Sequence, residues 1–124
     1  MKQPLTSLRI WFVIHFIVDY LFAMPMFIAP AWFLSFFGFT VVDPVTARLV
    51  AAALFAIGGI SLLSRTETAN VYNSLLKLKM IWSVSAIAGL LISLWQGAPV
   101  LLWTVTSVFA FFCGIWCYYF WKLR

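Results

Sequence analysis

Charge is what this sequence has least of. Three acidic residues, eight lysines and arginines together and one histidine are spread over 124 positions. Asp19, Asp43 and Glu67 are the whole acidic set, and only Asp19 lies deep in an apolar run, so no matched pair of carboxylates is available for general acid and base work. There is no HExxH sequence, no Cys/His set at metal-ligand spacing, no nucleophile elbow and no glycine-rich phosphate loop. Enzyme chemistry of those kinds is therefore not expected, and no cofactor is named by the residues. Cysteine is equally scarce: Cys113 and Cys117 lie four apart in one apolar run, where helix geometry points both thiols the same way without bringing them to disulfide distance. They are expected to be reduced thiols with a packing role.

What is abundant is apolar surface. Hydrophobic residues make up 65% of the chain and charged residues 9%, with a mean hydropathy of +1.07, which is outside the range of an ordinary water-soluble fold. The natural solvent for such a chain is lipid. The net charge of +5 would suggest nucleic acid in a soluble protein. Here the basic residues sit at the ends of apolar runs and read as topology signals, and nucleic-acid binding is rejected.

Four stretches, approximately 8–27, 44–64, 72–95 and 99–121, are long enough to cross a hydrocarbon core of ~30 Å, which takes about 20 helical residues. Backbone groups in lipid must be satisfied within the segment, and nothing alternates with a strand period. The expected fold is all-α: one integral membrane domain over 1–124, an antiparallel four-helix bundle. Lys2 and Arg9 precede the first helix, Arg65, Lys77 and Lys79 flank the second connection, and Lys122 and Arg124 follow the fourth helix. Both termini are then expected on the cytoplasmic side of a cell (inner) membrane. The first run is too long for the core of a secretory signal and no small-x-small cleavage site closes it, so it is expected to be a mature helix.

The first connection contains a segment, 30–38, that opens with a proline and closes with a glycine. Its Trp32, Phe33, Phe36 and Phe37 suit a short helix lying in the outer membrane interface, as an anchor or, alternatively, as a lid or lateral docking surface. Asp43-Pro44 reads as an N-cap followed by a first-turn proline, and Lys77 and Lys79 are expected to snorkel to the phosphates. Packing is expected from small residues spaced three or four apart: Ala52, Ala56 and Gly59 in the second span, Ser85, Gly89 and Ser93 in the third, Ser107, Ala110 and Gly114 in the fourth.

Candidate chemistry concentrates in the first span. His15 and Asp19 are four residues apart and share one face of a helix. At ~1.5 Å per residue from Leu8, His15 is about 10 Å and Asp19 about 16 Å into the membrane. An ionisable group at that depth is costly and marks a functional site by default. One solution is Arg48, just inside the second span, reaching toward Asp19 past a first helix kinked at Pro25. Another is a protonated Asp19 bonded to His15 or to a hydroxyl such as Ser85 or Thr106. The cluster His15, Asp19 and Arg48 is thus a candidate for binding the polar head of a lipid-like or quinone-like ligand, for a proton relay, or for a register-fixing ion pair. Haem or pigment ligation by His15 lacks a second ligand.

Arg48-Leu-Val-Ala-Ala-Ala-Leu-Phe-Ala-Ile-Gly58 is an arginine entering a small-residue helix after an aromatic, proline-bearing outer loop. In this segment, and in the plan of four helices, the chain resembles small proteins of the DoxX-like group. The resemblance implies a compact antiparallel bundle that serves as a membrane subunit of an oxidoreductase system or, in more distant relatives, binds sterol-like ligands. It carries over no catalytic residue. The leading expectation is a non-catalytic membrane protein that binds a hydrophobic ligand or a partner membrane subunit, or associates with copies of itself. A proton-coupled transporter or channel using Asp19 is the alternative, and an oxidoreductase subunit the third reading.

Overall fold

The computed structural model describes the backbone of residues 2–124 and the side chains of residues 5–124, so the topology signal read from Lys2 lies outside the described side chains. The described residues form five helices and no strand: α1 Lys2–Ile28, α2 Pro30–Ser35, α3 Pro44–Leu63, α4 Ala69–Trp95 and α5 Leu102–Lys122. Four of them, over Leu5–Ile28, Pro44–Leu63, Ala69–Trp95 and Leu102–Lys122, are long and apolar enough to cross a membrane.

Local chemistry sets the helix ends. α1 runs through Pro25 and stops at Ile28, because Ala29 precedes Pro30 and proline disfavours helical geometry in the residue before it. Ala29 is accordingly extended in φ, at −138°. α2 starts on Pro30 and ends in a turn closed by Gly38, whose φ of 94° suits a residue without a side chain. Asp43 caps α3 as expected: the Val45 N–H donates to its Oδ1 at 3.0 Å and the Thr46 hydroxyl to its Oδ2 at 2.6 Å. α4 begins at Ala69, three residues before the expected start. α5 begins at Leu102 rather than at Pro99, because N–H groups 102, 103 and 104 bond to carbonyls 99, 100 and 101 in a tighter turn.

The chain divides into two compact units, Ile10–Arg65 and the start of α1 up to Arg9 with Thr66–Arg124. In the first unit, Phe27 and Tyr20 of α1 both meet Phe55 of α3, at ring separations of 5.8 and 5.0 Å. Arg48 reaches the Phe27 carbonyl, and Asp19 lies against Gly58. The partners ascend α3 as they descend α1, so these two helices are antiparallel. In the second unit α4 and α5 pair in the same sense, through Asn73 with Arg124, Lys79 with Trp116 and Trp82 with Phe109.

The helix faces that pack are mostly not those expected from small residues; of that set only Gly59 and Ser93 are half-buried, Gly59 close to the Tyr20 hydroxyl. Ala52, Ala56, Ser85, Gly89, Ser107, Ala110 and Gly114 are all exposed, and a Cβ added at Gly89 or Gly114 would touch nothing within 4 Å. α3 instead buries Ala47, Ala51, Leu54, Gly58 and Ser61, a stripe rotated by one residue. α4 buries Tyr72, Leu76, Lys79 and Ser83. α5 buries Thr106, Phe112, Trp116 and Tyr119. In α4 and α5 large and polar side chains fill the inside, and Gly89, Ala110 and Gly114 are turned outward.

Candidate functional site

His15 and Asp19 are brought together as the spacing predicts. One helical turn apart on α1, they are 5% and 6% exposed, and His15 Nε2 lies 3.2 Å from Asp19 Oδ1. The nitrogen facing Asp19 would have to leave the carboxylate before it ligated a metal.

Gly58 explains why Asp19 fits where it does. A Cβ at position 58 would stand 2.8 Å from the Asp19 Cβ, 3.2 Å from its Oδ2 and 3.2 Å from Tyr20 Cδ1. Only a residue without a side chain lets α3 come this close to the carboxylate. One turn up the same contact, the Tyr20 hydroxyl donates to the Phe55 carbonyl at 3.1 Å and would lie 3.0 Å from a Cβ at Gly59. The tyrosine thereby anchors the residue beside Asp19. Gly58 and Tyr20 were not picked out from sequence as site residues; their signal was the Gly58-Gly59 pair, which reads equally well as generic helix packing.

Arg48 does not join the pair. Its side chain is exposed, and its Nε donates to the Phe27 carbonyl at 2.9 Å, eight residues or about 12 Å along α1 from Asp19. The reason is local. Pro25 and the break at Ala29 leave carbonyls at the end of α1 without intrahelical partners, and a nearby guanidinium satisfies one of them. Of the two hydroxyls considered for the pair, Ser85 is exposed, and Thr106 donates to the Leu102 carbonyl at 3.0 Å.

The aromatic segment splits into two faces. Phe33 and Phe37 turn onto Phe22 of α1, at ring separations of 5.9 and 6.4 Å. Trp32 and Phe36 pack edge to face on each other and are 61% and 62% exposed. Half of the segment therefore holds α2 to α1, and the other half is an apolar surface.

In the second unit Lys79 overturns the snorkelling expectation. Lys77 is exposed, but Lys79 is 1% exposed, with its Nζ 4.7 Å from the ring centre of the fully buried Trp116. A cation on an indole face recovers part of its lost hydration. Closer to the start of α4, Arg9 donates to the Glu67 carbonyl at 2.8 Å and lies 5.8 Å from the Tyr72 ring, and Ser7 and Tyr119 share a short hydrogen bond. Cys113 and Cys117 are free, half-buried thiols. Among the described residues no three His, Cys, Asp or Glu side chains gather as a metal site.

No protein-family model, curated protein or solved structure matches the chain. The functional reading therefore stands on the residues themselves.

Proposed function

We propose that this chain is a small, non-catalytic, multi-pass protein of the inner membrane, an antiparallel four-helix bundle whose His15–Asp19 pair receives the polar group of a lipid-like ligand or of a partner membrane subunit. The observation that carries this is the pair itself: one carboxylate and one imidazole, 3.2 Å apart and almost fully enclosed, in the middle of a helix of membrane-spanning length and apolarity. Ionisable groups at such a depth cost several kcal/mol and are retained where they act. Arg48, the cation that would have made Asp19 a register-fixing ion pair with α3, is engaged at the end of α1. A proton relay would use the same two residues, and it is distinguished by needing no bound amphiphile.

The test is stabilisation by ligand. Delipidated wild-type protein and Asp19→Asn are melted in detergent with fractions of a membrane lipid extract. A ligand of the native state at one hundred times its Kd stabilises by about 2.7 kcal/mol. The expected result is a fraction that raises the melting temperature of wild type by several degrees and leaves Asp19→Asn unmoved. Equal shifts in both proteins, or none in either, would remove the pair from ligand binding.

A further inference from the structure

The outer face of α5 carries a groove that the His15–Asp19 pair does not explain. It is a shallow, open depression lined by Gly114, Cys117, Tyr118, Trp121 and Lys122 of this one helix. The first four follow one another at i, i+3, i+4 and i+7, so they form a single lengthwise stripe of the helix. Gly114 opens one end, since even a Cβ there would meet nothing within 4 Å. Tyr118 and Trp121 form the apolar wall, 57% and 71% exposed. The other end carries a positive charge. Lys122 has no carboxylate partner among the described residues, whereas the neighbouring Arg124 is laid over Phe120 at 4.0 Å and turned to Asn73 at 3.4 Å.

We propose that this groove is a binding site for one acidic phospholipid, with its acyl chain along Gly114, Cys117, Tyr118 and Trp121 and its headgroup phosphate on Lys122. The inference rests on the membrane reading given above, with the end of α5 on the cytoplasmic side. Charge selects the occupant. Lysines beside a membrane surface attract anionic headgroups, and Tyr and Trp settle at headgroup depth with their rings against the chains. A second copy seated in parallel on the same face would bring two Lys122 ammonium groups together. The groove runs about 12 Å from Gly114 to Lys122, the length of the upper half of an acyl chain rather than of a whole helix.

The test uses full-length protein reconstituted in vesicles that contain phospholipid with brominated chains, either phosphatidylglycerol or phosphatidylcholine. Bromine quenches tryptophan on contact, and the share due to Trp121 is the difference between wild type and Trp121→Phe. The expected result is stronger quenching of Trp121 by the acidic lipid at low mole fraction. Lys122→Gln should reduce that preference about fivefold, the effect of one lysine at the surface. Gly114→Leu, which fills the groove without altering charge, should reduce quenching by both lipids. Equal quenching of Trp121 by the two lipids would overturn the site and leave the membrane reading intact. Cross-linking of two chains through this face at all lipid contents would overturn it in favour of a second copy. Vesicles that lose the protein on an alkaline carbonate wash would overturn the membrane reading and this site with it.

Discussion

Asp19 can be read correctly only together with Gly58. A carboxylate in the interior of an apolar helix needs polar partners, of which His15 is one, and it also needs room, which the missing side chain at position 58 supplies. Gly58→Ala would place a methyl group 2.8 Å from the Asp19 Cβ, and the obstacle is the root of the side chain rather than a flexible tip. Such overpacking typically costs about 1–3 kcal/mol. Thermal unfolding in detergent is expected to register that loss for Gly58→Ala, and no comparable loss for Gly89→Ala, where the added methyl meets open space. Equal effects at the two glycines would mean that the close approach at Asp19 is not a constraint on the fold. At this scale the His15–Asp19 pair was legible in the sequence because i and i+4 fix which side chains meet. The place of Arg48 was not, because it depends on where the carbonyls at the end of α1 lack partners, and that follows from Pro25 and Ala29 acting together. Lys79 was misread for a similar reason: a lysine near the start of an apolar helix looks like a snorkelling residue until Trp116 of another helix is seen beneath it.

At the scale of the element, the helix ends follow rules that are local and therefore readable. Asp43 and Pro44 start α3, and Gly38 and Gly97, with φ of 94° and 98°, mark turns. The Asp43 carboxylate accepts from the Thr46 hydroxyl and from the Val45 and Thr46 N–H groups, and these hydrogen bonds hold its pKa below the ordinary carboxylate value of 3.8. A lowered pKa in the folded state means that the ionised cap stabilises the native protein above the unfolded-state value, and that this contribution is lost as pH falls through the folded one. Asp43→Ala is therefore expected to be less stable than wild type at pH 6, with the gap narrowing at acid pH, below the lowered folded-state value, as wild type loses its ionised cap. Melting curves of the two proteins at pH 6 and at acid pH provide the check; a gap that does not change with pH would mean that the carboxylate charge contributes nothing. Which face of each helix is buried was less legible. Ala52, Ala56 and Gly59 lie on one side of α3, but so do Ala47, Ala51 and Gly58 on an adjoining side. Choosing between stripes one residue apart requires the partner's bulk, here Tyr20 of α1, which the pattern of a single helix does not contain.

For the whole molecule, composition carried the most. Four long apolar helices follow from 9% charged residues and from the lengths of the runs, and the absence of strands among the described residues follows from the absence of a two-residue period. Function was much less accessible, since one polar pair in an apolar chain is compatible with holding a ligand, moving a proton or meeting a partner subunit. The reading advanced here assigns the pair to the polar group of an amphiphile. It is tested most directly by mass spectrometry of the molecules that remain bound after gentle detergent purification, comparing wild type with Asp19→Asn, which keeps the shape and removes the charge, and with Arg48→Gln as a variant outside the pair. The account predicts one lipid-like species retained at near-stoichiometric amount by wild type and Arg48→Gln and absent from a folded Asp19→Asn. The same species retained equally by all three, or no species retained by wild type, would contradict it.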